Sequence, residues 1–222
     1  DLHENFLPPF REAIDAGALS VMTSYNSIDG VPCTANHYLL TQLLRNEWRF
    51  RGFVVSDLYS IEGVHESHFV APTIEEAAMQ AVSAGADIDL GGDAFMNLTH
   101  AVQSGKISEA VIDTAVCRVL RMKFEIGLFE HPYVNPKTAT KMVRSKDHIK
   151  LARKVAQSSI VLLKNENSIL PLNKKIKKVA VVGPNADNRY NMLGDYTAPQ
   201  EDENIKTVLD GCLLYTSPSP RD

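Results

Sequence analysis

Gly52-Phe53-Val54-Val55-Ser56-Asp57 is the stretch on which the reading of the chain turns. A glycine ends the preceding pattern, three apolar residues follow without polar alternation, and a carboxylate closes the run. A short continuous apolar run bounded by a breaker reads as a strand buried on both faces, the kind found in parallel sheets. Two further runs flank it. Leu19-Ser20-Val21-Met22-Thr23-Ser24-Tyr25 is β-prone and follows a helix stop at Ala16-Gly17-Ala18, and Ala86-Asp87-Ile88-Asp89-Leu90 is closed by Gly91-Gly92. The three lie roughly 33–34 residues apart, the rhythm of repeated β/α units.

Helical patterns fill the intervals. Asn36 can cap a helix on which Leu39, Leu40, Leu43 and Leu44 recur at helical spacing. Thr73, with Glu76 three residues on, makes a capping-box pattern before Ile74, Ala77, Ala78, Ala81 and Val82. Residues 93–104 and 108–127 predict two more helices, the second started by Ser108-Glu109 and stopped by Gly127. Residues 131–141 hold two prolines and little periodicity, and read as a linker. An amphipathic helix is expected over 147–163, then a strand over 177–184 leading into a turn. Three β/α units cannot close a barrel, which takes eight and about 250 residues, so a barrel would need most of its staves before residue 1.

The 222 residues carry 23 Lys+Arg against 27 Asp+Glu, a net charge of −4. Mild acidity argues against nucleic acid as a partner, which needs a basic stripe; the basic run Lys174-Lys175-Ile176-Lys177-Lys178 reads as a solvated approach to a strand. No apolar run has the length of a membrane span. Cys33, Cys117 and Cys212 have no paired spacing, which excludes a disulfide framework or zinc module. His65-Glu66-Ser67-His68 spaces its histidines by three, not the four of a zinc-binding helix, and no metal is expected. Val182-Gly183-Pro184-Asn185-Ala186 lacks the later glycines of a dinucleotide fingerprint, so no cofactor is expected either. After Asp210-Gly211 the Ser/Pro-rich residues 212–222 resemble translated vector sequence and are set aside as a non-native tail.

Asp57 is the sharpest chemical candidate. A carboxylate ending a parallel strand projects where β/α folds gather their catalytic groups, and it can serve as nucleophile or base. It has a second reading, a strand-end Asp that caps the following turn. Asp87 and Asp89, around the third strand, can line a site or act as solvated or capping carboxylates.

The ordered blocks Val21-Met22-Thr23-Ser24-Tyr25-Asn26, Asp29-Gly30-Val31-Pro32, Leu44-Arg45-Asn46-Glu47-Trp48 and Gly52 through Asp57 resemble glycoside hydrolase family three, its β-glucosidases and β-xylosidases above all. So do Ala84-Gly85-Ala86-Asp87-Ile88-Asp89-Leu90, Ser158-Ser159-Ile160-Val161-Leu162-Leu163-Lys164-Asn165, Ile169-Leu170-Pro171-Leu172 and Val181-Val182-Gly183-Pro184-Asn185-Ala186. The resemblance implies an α/β fold: the C-terminal part of a (β/α)8 TIM-like barrel over residues 1–130, a linker over 131–146, and the start of an α/β sandwich domain over 147–211. It implies that Asp57 is the catalytic nucleophile of a retaining exo-glycosidase, with Tyr25 hydrogen-bonding the carboxylate or stacking on the sugar and Met22 packing near the same subsite. The substrate would be an oligosaccharide or an aryl or alkyl β-glycoside, and the location periplasmic or secreted.

The acid/base Glu of such enzymes comes from sequence beyond residue 222, and no motif supports Glu47, Glu62 or Glu66 in that role. The chain is thus expected to be a fragment, inactive alone. Two departures stand out: Leu58 where many glucosidases carry Trp, and Arg49 where Gly is usual. The alternatives are a β-N-acetylhexosaminidase of the same family and a non-catalytic carbohydrate-binding α/β module.

Overall fold

A Cβ on Gly52 would stand 2.1 Å from the Leu19 carbonyl oxygen, so only glycine lets the chain run this close to its neighbour. The computed structural model describes residues 1–173 and 175–216; Lys174 of the basic run and residues 217–222 of the expected tail lie outside the described residues. Strand β1 (Ser20–Met22) is followed by a small antiparallel hairpin, β2 (Ser27–Ile28) on β3 (Val31–Pro32). Its turn residues Asp29 and Gly30 both have positive φ, as a tight two-residue hairpin turn requires. Strand β4 (Phe53–Val55) then lies parallel to β1, with Ser20 opposite Phe53, Val21 opposite Val54 and Met22 opposite Val55. The mixed helix and parallel-strand organisation is that of an α/β fold.

The third expected strand is reduced to one parallel bridge, Val55 with Ile88. The contacts are nonetheless dense: Asp87 and Ile88 donate their N–H groups to Val54 O (2.8 and 3.1 Å), and Ser56 donates to Ile88 O (2.9 Å). A regular ladder is interrupted because the Val54 N–H is taken by a side chain, Asp87 Oδ2, at 2.8 Å.

Helices pack around these strands. Helix α1 (Pro8–Asp15) precedes β1, and a π-helix (Tyr38–Glu47) precedes β4, with the Asn36 side chain accepting from Leu39 N–H at its start (3.1 Å). Helices α2 (Ser60–Glu66) and α3 (Ile74–Ala84) follow β4. Thr73 caps α3 through Glu76 N–H, as its sequence pattern predicts. The single helix expected over 93–104 is a 3-10 turn (Ala94–Asn97) joined to α4 (Leu98–Gln103). Its first amides are taken from outside: Glu62 Oε1 accepts from Asp93 and Ala94, and Asp89 Oδ2 from Phe95. Helix α5 (Glu109–Glu125) is capped by Ser108. Within the low-periodicity segment, Asn135 caps a short α6 (Pro136–Met142), with Pro136 in the first turn where its missing N–H costs nothing.

The core joins Leu40 and Leu44 of the π-helix, Val54 of β4, Ile61 of α2, and Ala78, Ala81 and Val82 of α3. Alanines on the inner side of α3 let it approach the sheet closely. Arg49 sits in the turn before β4 at φ +58, a left-handed conformation that explains why glycine suits the position.

Beneath the sheet lies a buried ion-pair cluster. Asp87, its side chain fully buried, accepts from Arg45 Nη2 (2.6 Å) and Arg118 Nη1 (2.9 Å), besides Val54 N–H. Arg45 also donates to the Gly52 and Gly85 carbonyls. Burial lowers the Arg45 pKa and Asp87 opposes the shift; a guanidinium is charged at neutral pH in either case.

The chain divides into two compact units, Asp1–Val143 and Arg144–Asp222. In the second, Ser145 caps α7 (Lys146–Ser159). Residues 177–184 form no ladder among the described residues; a strand exists through its neighbour, and this unit pairs none there. Helix α8 (Val208–Thr216) runs into the segment set aside as tail. Thr207 and Asp210 cap its start reciprocally, Asp210 N–H to Thr207 Oγ1 and Thr207 N–H to Asp210 Oδ2 (both 3.1 Å). The Thr207 N–H, helped by Arg189, holds the Asp210 carboxyl below its usual range.

Asp87→Ala strands the nearly buried Arg45 guanidinium, the partly exposed Arg118 guanidinium and an amide, so the first unit should lose about 3 kcal/mol, the lower end of the cost of breaking a buried pair. Denaturant titration of the variant against the parent checks this.

Candidate active site

Asp57 emerges at the carboxyl end of β4, partly buried, with its backbone clamped on both sides. Its N–H donates to Thr23 Oγ1 (3.3 Å). Its carbonyl accepts from Ser60 N–H (3.0 Å) and from Ser56 Oγ (3.0 Å). Ser56 Oγ in turn accepts from Leu90 N–H at 2.9 Å, tying the end of β4 to the third run. The carboxylate is oriented by a backbone donor: Leu58 N–H reaches Oδ1 at 2.7 Å. The turn-capping reading of Asp57 therefore describes a bond that is present, and that bond also aims the side chain. Tyr59, next but one, sits in the left-handed region at φ +57, with its N–H on Leu90 O (3.1 Å). Non-glycine residues held there store strain of order 1–3 kcal/mol, a cost met most often around functional sites.

Tyr25 is 55% exposed, and its hydroxyl donates to the Leu58 carbonyl at 2.8 Å. That bond places the phenol beside the residue whose N–H aims Asp57. His68 Nε2 holds the Tyr25 carbonyl at 2.8 Å, and His65 Nδ1 holds the Ala71 carbonyl at 2.8 Å. A carbonyl can only accept, so both ring nitrogens carry a proton, and both histidines act as backbone clasps. Met22, 50% exposed, lines an open apolar cleft of about 650 Å3 with Phe6, Phe10, Thr23 and Leu39. Leu58 is exposed and leans on Gly91, where an added Cβ would come within 2.2 Å of Leu58 Cδ1.

Three of the remaining acidic candidates, Asp87, Asp89 and Glu62, have structural partners. Asp87 belongs to the buried arginine cluster and is neither solvated nor site-lining. Asp89 accepts from Phe95 N–H at 3.1 Å while its Oδ1 is buried without a partner. Desolvation raises its pKa, with Glu62 and Asp93 adding to the rise and the Phe95 bond opposing it. Glu62 is engaged with the amides of Asp93 and Ala94; Glu47 and Glu66 are exposed. Among the described residues no group of three or more His, Cys, Asp and Glu is placed to hold a metal ion, and no helix is long and apolar enough to cross a membrane.

Sequence reading missed the hydroxyls of Thr23, Thr34 and Ser60. All three are buried and linked, Thr23 Oγ1 to Thr34 Oγ1 at 2.8 Å and Thr34 Oγ1 to Ser60 Oγ at 2.9 Å. The only available signal was that Thr23 directly follows the run that becomes β1, as Ser56-Asp57 follows the run that becomes β4.

Residues 1–122 match the model of the Glycosyl hydrolase family 3 N terminal domain, and residues 160–216 that of the Glycosyl hydrolase family 3 C-terminal domain. The chain belongs to glycosyl hydrolase family 3. Within the family it is 38% identical over 216 residues to a periplasmic beta-glucosidase of Salmonella typhimurium, covering 95% of this chain and 28% of that protein. It is 35% identical over 215 residues to a xylan 1,4-beta-xylosidase of Xylanibacter ruminicola, covering 95% of this chain and 25% of the relative. The crystal structure of a beta-glucosidase from Listeria innocua in complex with glucose superposes with a TM-score of 0.82 at 35% identity, covering 96% of this chain and 29% of the other. The family 3 chain described here thus spans between a quarter and a third of the length of these relatives.

The raised Asp89 pKa has a definite sign in stability. A carboxyl whose folded pKa lies above its unfolded value binds more protons when folded, so its contribution falls as pH rises from about 3.8 through the folded pKa. Asp89→Asn keeps an acceptor for Phe95 N–H and removes the charge. The variant should gain in melting temperature relative to the parent as pH climbs above that range, and paired thermal melts across pH 3–7 test it.

Proposed function

We propose that the protein is a retaining, exo-acting β-glycosidase that releases terminal β-linked glucose or xylose, with Asp57 as nucleophile. The observation that carries the reading is the placement of Asp57 at the carboxyl end of a parallel strand, with its backbone clamped and one carboxylate oxygen held by Leu58 N–H. The names of the relatives, β-glucosidase and β-xylosidase, support the substrate class.

In this mechanism Oδ2 of Asp57 attacks the anomeric carbon while the glycosidic oxygen leaves with a proton from the acid/base group. A covalent glycosyl-enzyme forms with inverted configuration. Water, deprotonated by the same acid/base, then attacks the anomeric carbon and returns Asp57 as carboxylate, so the product keeps the β configuration. Tyr25, tied to Leu58, supports the wall beside the nucleophile, and Met22 contributes to the flank of the subsite. The β1–β4 pair with its Ile88 bridge is read as consecutive staves of a (β/α)8 barrel over residues 1–130. Residues 131–146 are then a linker and 147–211 the start of an α/β sandwich domain.

Retention demands a second carboxyl group about 5–5.5 Å from the nucleophile. We assign the acid/base, as the family resemblance implies, to sequence outside these 222 residues, and on that reading the chain by itself turns over no glycoside. The Salmonella relative's periplasmic designation favours a periplasmic or secreted setting.

A 2-deoxy-2-fluoro β-glucoside or β-xyloside, incubated with the full-length gene product, should leave a stable label on the peptide carrying Asp57. Asp57→Asn should abolish labelling and lower kcat by at least about a thousandfold, the scale of losing a covalent nucleophile. Label on another residue, or an unimpaired variant, refutes the assignment.

A further inference from the structure

Three buried hydroxyls form a file that ends on the backbone of Asp57. Ser60 Oγ lies 2.9 Å from Thr34 Oγ1, which lies 2.8 Å from Thr23 Oγ1, which accepts the Asp57 N–H at 3.3 Å. The members come from three separate places: Thr23 just past β1, Thr34 in the 3-10 turn Cys33–Ala35 after the hairpin, and Ser60 at the start of α2. Thr34 is the middle member and is 1% exposed, so bulk water has no access to replace it.

We propose that Thr34 is a positioning residue for the glycosidase reaction, acting through Thr23 on the peptide that carries the nucleophile; this rests on the assignment of Asp57 above. Each hydroxyl has one proton to give, and Thr23 already accepts from the Asp57 N–H. Whichever way the two hydroxyl–hydroxyl bonds run, Thr34 sets the rotamer of Thr23 and links it to Ser60. Ser60 in turn holds the Asp57 carbonyl through its own N–H. The file thus closes a loop around one residue, gripping the Asp57 N–H by a side chain and the Asp57 C=O by a backbone amide.

Loss of the Thr34 hydroxyl leaves Thr23 and Ser60 each short of a partner in a buried site, which favours new rotamers for both. The Asp57 amide then loses its fixed acceptor, and the carboxylate leaves the line of attack. Small errors in the placement of a nucleophile cost rate far more than they cost substrate binding.

The test compares Thr34→Val, which keeps the shape and removes the hydroxyl, with Thr34→Ser, which keeps the hydroxyl, in the full-length gene product. An activated aryl β-glycoside gives kcat and KM, and a 2-deoxy-2-fluoro β-glycosyl fluoride gives the rate and site of labelling. For Thr34→Val, kcat and the rate of Asp57 labelling should both fall about tenfold, the rate equivalent of one hydrogen bond, with KM changed by less than about twofold. Thr34→Ser should stay within about twofold of the parent on the same measures.

Parent labelled at Asp57 together with a Thr34→Val enzyme of undiminished kcat overturns the role of Thr34 and leaves the nucleophile standing. A parent labelled elsewhere overturns the Asp57 assignment and this inference with it. If circular dichroism shows Thr34→Val unfolded, Ser60→Ala breaks the same file at its far end. A fall in kcat without a rise in KM then supports the role, and an unchanged kcat overturns it.

Discussion

The first unit is organised around one buried negative charge. Asp87 is out of water on every side, and its two oxygens are shared among Arg45, Arg118 and the Val54 amide. Each partner comes from a different element: the π-helix, α5 and β4. A charge in such a place is tolerable only with full pairing, so the three elements must arrive together and in register. Arg45 extends the constraint by holding the carbonyls of Gly52 and Gly85, at the start of β4 and after α3. An apolar residue at position 87 could fill the space, but it could not specify which residue of the third run lies beside Val54.

That register passes up the strands to the opposite end. With Ile88 set beside Val55, Ser56 can bond Ile88 O and its hydroxyl can receive the Leu90 amide. Ser56 and Ser60 then hold the Asp57 carbonyl, and Thr23 its amide. The geometry of the candidate nucleophile is therefore the downstream end of a chain of contacts that begins at Asp87 and its arginines. Rigid elements supply the precision, while the turn that bears the carboxylate is only the last link.

Much of this was legible from residue order. The apolar run 53–55, its breaker at Gly52 and the terminal Asp57 gave a parallel strand with a projecting carboxylate, and the caps at Asn36, Thr73 and Ser108 appear where local pattern put them. The failures share a cause, which is that a side chain from far along the chain took a backbone group. Asp87 on Val54 N–H shortened the third strand to a bridge, and Glu62 and Asp89 took the amides of 93–95 where one regular helix was expected to start. The 177–184 run failed for a related reason, since β propensity names a willing strand and not its neighbour. The file of hydroxyls was invisible because Thr and Ser are unremarkable residues until the fold buries them side by side.

The contact between Leu58 and Gly91 bears on how the wall beside Asp57 can diversify. Gly91 offers bare backbone at φ +72, and the leucine tip occupies the space a methyl would need. The two positions therefore cannot drift independently. Any lineage that acquires a side chain at 91 must first shrink or redirect the one at 58, whereas exchanges at 58 that stay off the glycine remain open. Substitution around this rim is in consequence ordered: a side chain at 91 needs both the leucine tip moved aside and the left-handed backbone held, whereas position 58 is free to explore.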